Sequence, residues 1–156
     1  MKKETPSFSA TRSHRFTLGA LLLSTVSFIF LNSLMTGSAS AEASMSVYTV
    51  LDVIFGFFPF FTHTFVRSAA HFAEYALLGL LSFFAVRVFF GGKRRSVFLV
   101  FTFGLLTAVT DELLQLFVPG RVCSFFDLAL DFCGFLFGVL VSFLFRLVRD
   151  KIRSAL

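Results

Sequence analysis

The sequence predicts an all-α membrane protein with four transmembrane helices and a short amphipathic interfacial helix. Of its 156 residues, 56% are hydrophobic, and the mean hydropathy is +0.86, whereas about 45–50% of an average soluble protein is apolar. The apolar residues concentrate in four runs that are long enough to cross a bilayer. The basic residues flank these runs, where they set topology and contact membrane lipids, and they do not indicate a nucleic-acid partner. We therefore expect one membrane-embedded bundle.

The first predicted span lies near the N-terminus. Residues 1–15 are polar and basic and are expected to form a disordered cytoplasmic tail, and residues 16–34 form the first apolar run. Ala39, Ser40 and Ala41 then have the A-x-A pattern of a signal-peptide cleavage site. Two interpretations are open: cleavage after Ala41, or a retained first helix followed by a serine-rich outer loop.

Residues 43–58 are amphipathic rather than spanning. Apolar side chains recur there at helical spacing, at Val47, Val50, Leu51, Ile54, Phe55 and Phe58. This pattern is typical of a short helix on the outer membrane interface. An ordinary connecting helix packed on the bundle explains it equally well.

Three further apolar runs are predicted to span the membrane: residues 66–90, 96–117 and 125–147. The last two are joined by a short turn at Pro119, Gly120 and Arg121, so they should be antiparallel neighbours. Gly134 and Gly138 form a small-xxx-small pair that allows close helix contact. The membrane domain is thus expected to cover residues 16–148, and residues 149–156 to form a second basic tail.

The basic residues predict the orientation. Of the 14 Lys and Arg residues, 12 fall in three segments, within residues 2–15, 87–95 and 146–153. Four spans place these segments on one side, so both termini should be cytoplasmic and the protein should lie in the cell membrane. Arg67 and Arg121 remain on the predicted outer side, so they do not contribute to the excess of basic residues on the cytoplasmic side.

Polar side chains near the predicted outer ends of spans two to four form the candidate ligand-binding site. They are Arg67, His71, Glu74, Asp111, Glu112, Gln115, Arg121, Asp127 and Asp131. Spacings of three and four residues place the members from each span on one helix face, so we expect a crevice that is open to the exterior or the outer leaflet. Five acids face two arginines and one histidine there. Such an excess of buried negative charge requires either protonated acids or a cationic partner.

Simpler interpretations exist for several of these residues. His71 and Glu74 could belong to a hydrogen-bond network between helices, and their HxxE spacing is only weak evidence for a metal. Asp111 and Glu112 could form a general acid/base pair, although no Ser-His-Asp or Cys-His arrangement accompanies them. Asp127 could be a helix cap. Arg121 could bridge to an acid across the turn. We assign no metal, no cofactor and no catalytic residue.

These residues carry a resemblance to the VanZ-like family of small membrane proteins. The matching stretches are RSAAHFAEYALLG from Arg67, TDELLQLFVPGR from Thr110 and SFFDLALDFCGFLFG from Ser124. The serines between Ser38 and Ser46 are similar to the family's serine-containing loop. The sequence departs from the family in Asn32-Ser33-Leu34 at the end of the first helix, where many members read Ser-Ser-Gln, and at Asp131, where Asn is common. The resemblance implies a bacterial membrane protein linked to resistance to teicoplanin, a lipid-tailed glycopeptide antibiotic.

Two functions from different classes follow. The first is a non-enzymatic protein that engages an amphiphile at the outer leaflet, such as a lipoglycopeptide antibiotic or a lipid-linked cell-wall precursor. The second is an intramembrane enzyme, metal-assisted or not, acting on a lipid-linked or peptide substrate. A third and simpler hypothesis is that the protein is a small helper for another membrane protein.

Overall fold

A computed structural model describes residues 12–91 and 94–155. In these ranges the chain forms helices only: α1 (Arg12–Ser33), α2 (Gly37–Phe55), α3 (His63–Phe90), α4 (Arg94–Gln115) and α5 (Phe125–Ala155). Four of them, α1, α3, α4 and α5, are long and apolar enough to cross a membrane. The predicted all-α fold with four membrane spans is therefore confirmed. Most of the predicted N-terminal tail, residues 1–11, lies outside the described residues.

The ends of α3 follow local sequence signals. Thr62 precedes the helix, and its side-chain oxygen accepts a hydrogen bond from the backbone N–H of Phe65 at 3.2 Å, as expected of an N-cap threonine. Gly91 ends the helix in the left-handed conformation, with a φ of 70°, which costs glycine little because it lacks a Cβ atom. The chain therefore turns back toward α4 where the apolar run stops.

The amphipathic helix differs from its predicted bounds. It begins at Gly37, so the serine-rich stretch expected as an outer loop is helical, because Thr36 caps it by accepting from the N–H of Ala39 at 3.3 Å. No side chain of α2 is buried. One side of α2 folds back on the start of α3, where the Ser44 hydroxyl lies 2.7 Å from His63 Nε2. The connecting role is thus observed, whereas a position on the membrane interface stays a prediction.

The two helices at the chain ends are longer than the apolar runs that predicted them. The helix α1 already begins at Arg12, inside the segment expected to be a disordered tail. The helix α5 continues beyond the apolar run to Ala155. Arg, Lys and Ala favour helix formation, and Arg146 forms an ion pair with Asp150 one turn later at 3.2 Å. The C-terminal basic segment is therefore largely the helical end of α5.

The helices α3 and α5 form the most extensive interface, and glycines make it possible. A Cβ atom on Gly79 would meet the Phe135 carbonyl oxygen, and one on Gly138 would meet the Ala76 carbonyl oxygen. A Cβ on Gly134 would lie 2.5 Å from the Phe72 carbonyl oxygen. The prediction that Gly134 and Gly138 allow close helix contact is confirmed.

The antiparallel order of the helices gives the bundle two chemically different ends. At the end that we call the basic end, α1 and α4 begin and α3 and α5 finish. Here Arg15 donates from Nη2 to the Val88 carbonyl oxygen at 3.0 Å. At the opposite end, called the acidic end, α1 and α4 finish while α3 and α5 begin. The candidate site residues all belong to the acidic end.

We expect Gly138→Ala to lower the melting temperature of the detergent-purified protein. The added Cβ would press on the Ala76 carbonyl oxygen and force α3 and α5 apart, and overpacking of this kind costs about 1–3 kcal/mol. Thermal unfolding followed by size-exclusion chromatography measures the change. Gly19→Ala is the matched control, because its Cβ would meet only the tip of the Phe89 ring at 3.9 Å. Equal melting temperatures of the two variants would contradict the close contact.

Candidate functional site

A small polar cleft lies where α3, α4 and α5 meet at the acidic end. Its volume is about 20 Å³, and a water molecule needs about 10–15 Å³, so the cleft admits one water molecule, one ion or one small charged group. The side chains that line it are Arg67, Ser68, His71, Glu112, Gln115, Asp127, Leu130 and Asp131. Six of the nine predicted site residues thus line one cleft, and the other three lie toward α1.

The helix α1 supplies two polar side chains on that other side. Asn32 donates from Nδ2 to Glu74 Oε1 at 2.9 Å. The Ser33 hydroxyl, which is fully buried, donates to Asp111 Oδ1. Glu74 therefore pairs with α1 instead of forming an HxxE metal pair with His71. Each of these carboxylates keeps one buried oxygen, Glu74 Oε2 and Asp111 Oδ2, without a hydrogen-bond partner in the described ranges.

Arg121 holds the end of α1. It donates from Nη2 to the Asn32 carbonyl oxygen at 2.7 Å and from Nε to the Met35 carbonyl oxygen at 3.2 Å. Carbonyls at a helix C-terminus lack intrahelical partners and attract positive charge. Desolvation first, and then the charge of Arg67, lower the pKa of Arg121. The expected bridge from Arg121 to an acid is wrong, because the ion pairs between described residues are at the basic end.

The turn that carries Arg121 packs against the junction of α1 and α2. The backbone N–H of Gly37 donates to the Pro119 carbonyl oxygen at 3.1 Å. Gly120 has a φ of 75°, which an L side chain rarely adopts. A Cβ on Gly37 would collide with the backbone of Gly120. Two glycines therefore bring the α4–α5 turn onto the end of α1, within reach of the Arg121 guanidinium.

Glu112 and Ser124 organise the start of α5. Glu112 Oε2 accepts from the backbone N–H of Ser124 at 2.8 Å, and Glu112 Oε1 accepts from Gln115 Nε2 at 3.3 Å. The Ser124 hydroxyl accepts from the N–H of Asp127 at 3.4 Å. Ser124 is thus the residue whose side chain caps α5, while Asp127 lies in the first turn, where its charge suits the helix dipole. The predicted first-turn position of Asp127 is confirmed, but the side chain that caps the helix is that of Ser124, three residues earlier.

His71, Asp111 and Asp131 converge from three different helices. Each offers one ligand-capable atom, and these three atoms lie within 4.8 Å of one another. Asp111 is 0% exposed and Asp131 is 2% exposed. Asp111 Oδ2 and Asp131 Oδ1 are buried without a hydrogen-bond partner within the described ranges. These three residues are the ones in the site that could hold a metal ion.

Sequence reasoning missed three residues that organise the site: Asn32, Ser33 and Ser124. Asn32 and Ser33 are a polar pair at the end of an apolar run, level with the acids of the other spans. That position was a usable signal, because a polar pair in such a place tends to face partners inside a bundle. Ser124 stands three residues before Asp127 at the start of a helix, which is a recognisable capping position.

A second, apolar cavity of about 480 Å³ lies toward the basic end between α3, α4 and α5. Phe83, Val100 and Leu136 are among the side chains that line it, and Arg87 and Ser96 lie on its wall. None of the predicted site residues lines this cavity.

Comparison with known proteins gives a match at the level of a family. The family model described as VanZ/LLP1 matches residues 18–146, which is most of the chain. No significant match was found among curated proteins or among solved structures.

We expect the mature protein to retain α1. Cleavage after Ala41 would remove Asn32 and Ser33 and leave Glu74 and Asp111 without their partners. An unpaired buried polar group costs about 1–3 kcal/mol, and more when it is charged. Intact-mass spectrometry of the membrane-extracted protein should therefore give a mass that includes α1. Ala41→Leu, which removes the A-x-A pattern, should alter the mass only by the substitution. A product that begins at Glu42 would contradict retention.

Proposed function

This chain belongs to the VanZ/LLP1 family, and from that premise we propose that it contributes to glycopeptide resistance at the cell membrane. It does so by engaging an amphiphile, either a lipid-tailed glycopeptide such as teicoplanin or a lipid-linked cell-wall precursor. The acidic cleft holds a cationic group of this amphiphile, and lipid-exposed helix surfaces accompany its tail.

The observation that carries the proposal is the uncompensated negative charge of the cleft. Glu112, Asp127 and Asp131 line it together with Arg67, and the described part of the chain has no ion pair at this end. Asp131 is 2% exposed and its Oδ1 has no hydrogen-bond partner in the described ranges, and such a carboxylate is unfavourable in a medium of low dielectric constant. A cationic ligand group relieves this cost, so the cleft selects for positive charge.

The size of the cleft limits what enters it. A volume of about 20 Å³ accommodates a single ammonium group and not a sugar or a peptide. The rest of the amphiphile therefore lies outside the cleft, beside the apolar side chains that surround the acidic end. Phe117, Phe125 and Phe126 are among these, with exposed fractions of 84%, 83% and 70%. Their rings offer a lipid tail a broad apolar surface.

The proposal requires the acidic end to face the exterior. Arg15, Arg87 and Arg149 are among the basic residues gathered at the opposite end, and positive charge favours the cytoplasmic side. This orientation places both termini in the cytoplasm and the cleft near the outer leaflet.

The native Cys123 provides a direct test of orientation. It is exposed on the α4–α5 turn, so a membrane-impermeant maleimide should label it in intact cells. Desolvation and then the neighbouring Glu112 raise the pKa of the Cys123 thiol, so the labelling is done at mildly alkaline pH, where more thiolate is present. Both arms use a Cys133→Ser background, because Cys133 is also exposed. In that background, the variant Lys151→Cys with Cys123→Ser reports the basic end and should react only after permeabilisation. The reverse pattern would exclude an outward-facing cleft.

Neutralising Asp127, which lines the cleft, tests the binding role. In a susceptible host, the wild-type protein should raise the minimum inhibitory concentration of a lipid-tailed glycopeptide more than that of one without the tail. Asp127→Asn should abolish most of this difference, because loss of a charge partner costs about 2 kcal/mol or more, or about thirty-fold in affinity.

The matched control is Asp150→Asn, the same change at an exposed residue of the basic end. It should keep the protection. Both variants must be present in the membrane at wild-type levels by immunoblot. Full protection by Asp127→Asn at that level, or equal protection against the two kinds of drug, would count against the proposal.

A second candidate function, an intramembrane enzyme, is favoured by the convergence of His71, Asp111 and Asp131. It acts on a lipid-linked or peptide substrate, with Glu112 as the nearest acid or base. The two functions differ in the effect of Glu112→Gln on a purified preparation. The enzyme would lose product formation while still binding its substrate, whereas the binding protein would lose affinity and form no product at any stage.

A further inference from the structure

We infer that His71, Asp111 and Asp131 form a binding site for one divalent transition-metal ion, with Zn²⁺ as the preferred ion. The inference concerns the inner wall of the cleft and does not depend on the proposed amphiphile. It rests on three observations: the convergence of ligand atoms, the burial of two carboxylates that each have one oxygen without a partner in the described ranges, and the chemistry of the donor set.

The geometry is close to that of a bound ion. The helices α3, α4 and α5 contribute one residue each, and the three ligand-capable atoms lie within 4.8 Å of one another. Nitrogen and oxygen ligands bind Zn²⁺ at about 2.0–2.2 Å, so two ligands of one ion are about 3–4 Å apart. Small side-chain rotations, each moving a ligand atom by about 1 Å, would close the remaining distance.

The two carboxylates are built into the bundle and aimed inward. Asp111 and Asp131 are 0% and 2% exposed, and each has a buried oxygen with no hydrogen-bond partner in the described ranges. A buried charge in such surroundings is normally paired or bound to a metal. The other oxygen of Asp111 accepts from Ser33. Outer hydrogen bonds of this kind orient metal ligands.

The neighbouring charged residues do not compensate the negative charge of Asp111 and Asp131, which favours the binding of a cation. Glu112 and Asp127 line the same cleft, and Glu74 lies on the α1 side of Asp111. Arg121 donates to backbone carbonyls of α1, and Arg67 forms no ion pair with another described residue. A divalent ion would balance Asp111 and Asp131 while His71 stays neutral, because a bound metal ion is the largest local charge in its site.

The donor set favours Zn²⁺ over Mg²⁺ or Ca²⁺. Imidazole suits zinc and the neighbouring transition metals, whereas magnesium and calcium take oxygen ligands. Cu²⁺ and Ni²⁺ would bind the same donors at least as tightly, whereas Mn²⁺, at the weak end of the general affinity order, would compete less well. Three protein ligands leave a fourth position, as in open zinc sites rather than structural ones. His71 and Asp131 also line the cleft, whose volume of about 20 Å³ suffices for the water that would fill this position.

The test uses the full chain, with its affinity tag removed, purified in detergent and stripped with a chelator. Isothermal titration with Zn²⁺, followed by elemental analysis after desalting, should give about one ion per chain. Co²⁺ in place of Zn²⁺ should produce the visible absorption of a site with nitrogen and oxygen ligands. Mg²⁺ and Ca²⁺ should fail to compete at equal concentration, and Mn²⁺ should compete partly.

Variants then assign the ligands. Asp131→Asn and His71→Gln should each weaken Zn²⁺ binding by more than the 10–100-fold that loss of an outer hydrogen-bond partner causes. Ser33→Ala, which removes only such a partner of Asp111, should weaken it less. The matched controls are Asp150→Asn and His14→Gln, which change exposed residues and should bind as the wild type does. Monodisperse elution shows that each variant is folded.

Several outcomes overturn the site. They are the lack of a stoichiometric ion in the wild type, an unchanged affinity in Asp131→Asn or His71→Gln, and equal losses in the exposed controls. If a variant does not fold, the wild-type Co²⁺ spectrum decides, because the absence of ligand-field bands excludes coordination. Zinc binding without drug protection refutes only the proposed function, and drug protection without zinc refutes only the metal site.

Discussion

The close approach of α3 and α5 is the constraint on which the rest of the structure depends. At Gly134 and Gly138 the backbone of α5 touches the Phe72 and Ala76 carbonyls of α3. His71 precedes Phe72, and Asp131 lies one turn before Gly134, so the same contact brings an imidazole and a carboxylate together. Lipid offers no hydrophobic driving force for helix association, and small residues that let backbones touch take its place. The α3–α5 interface therefore determines both the helix packing and the proximity of His71 and Asp131.

The acidic end is stabilised by contacts to helix termini rather than by ion pairs. Arg121 satisfies carbonyls at the end of α1, and Glu112 satisfies an N–H at the start of α5. Both charges thus interact with helix dipoles, and Arg121 forms no ion pair with an acid among the described residues. Asp111 Oδ2 and Asp131 Oδ1 stay buried without a hydrogen-bond partner in the described ranges. The use of Arg121 at the end of α1 therefore contributes to the negative excess of the cleft.

Much of this could be predicted from the sequence, because spans, turns and shared helix faces depend on periodicity and composition. The spacing of Gly134 and Gly138 predicted a close helix contact. The positions of the polar residues along their spans predicted that these residues lie at the same depth near one end of the bundle. Rotation of one helix against another is not visible in a single sequence, since backbone packing sets it. For this reason the sequence allowed Glu74 a hydrogen-bond network between helices but did not identify Asn32 as its partner. Backbone carbonyls have no sequence signature either, so the partners of Arg121 were missed.

The two cavities lie toward opposite ends of the bundle and differ in polarity and volume. The acidic cleft of about 20 Å³ has room for charge only, whereas the apolar cavity of about 480 Å³ toward the basic end has room for part of a lipid chain. No described side chain lines both cavities. The tail of an amphiphile bound as proposed would therefore lie against the exposed phenylalanines of the acidic end rather than in the larger cavity. Within the cleft, a metal ion and an ammonium group would be drawn by the same carboxylates. Their volumes make them competitors, so occupancy by one lowers the affinity for the other by mass action.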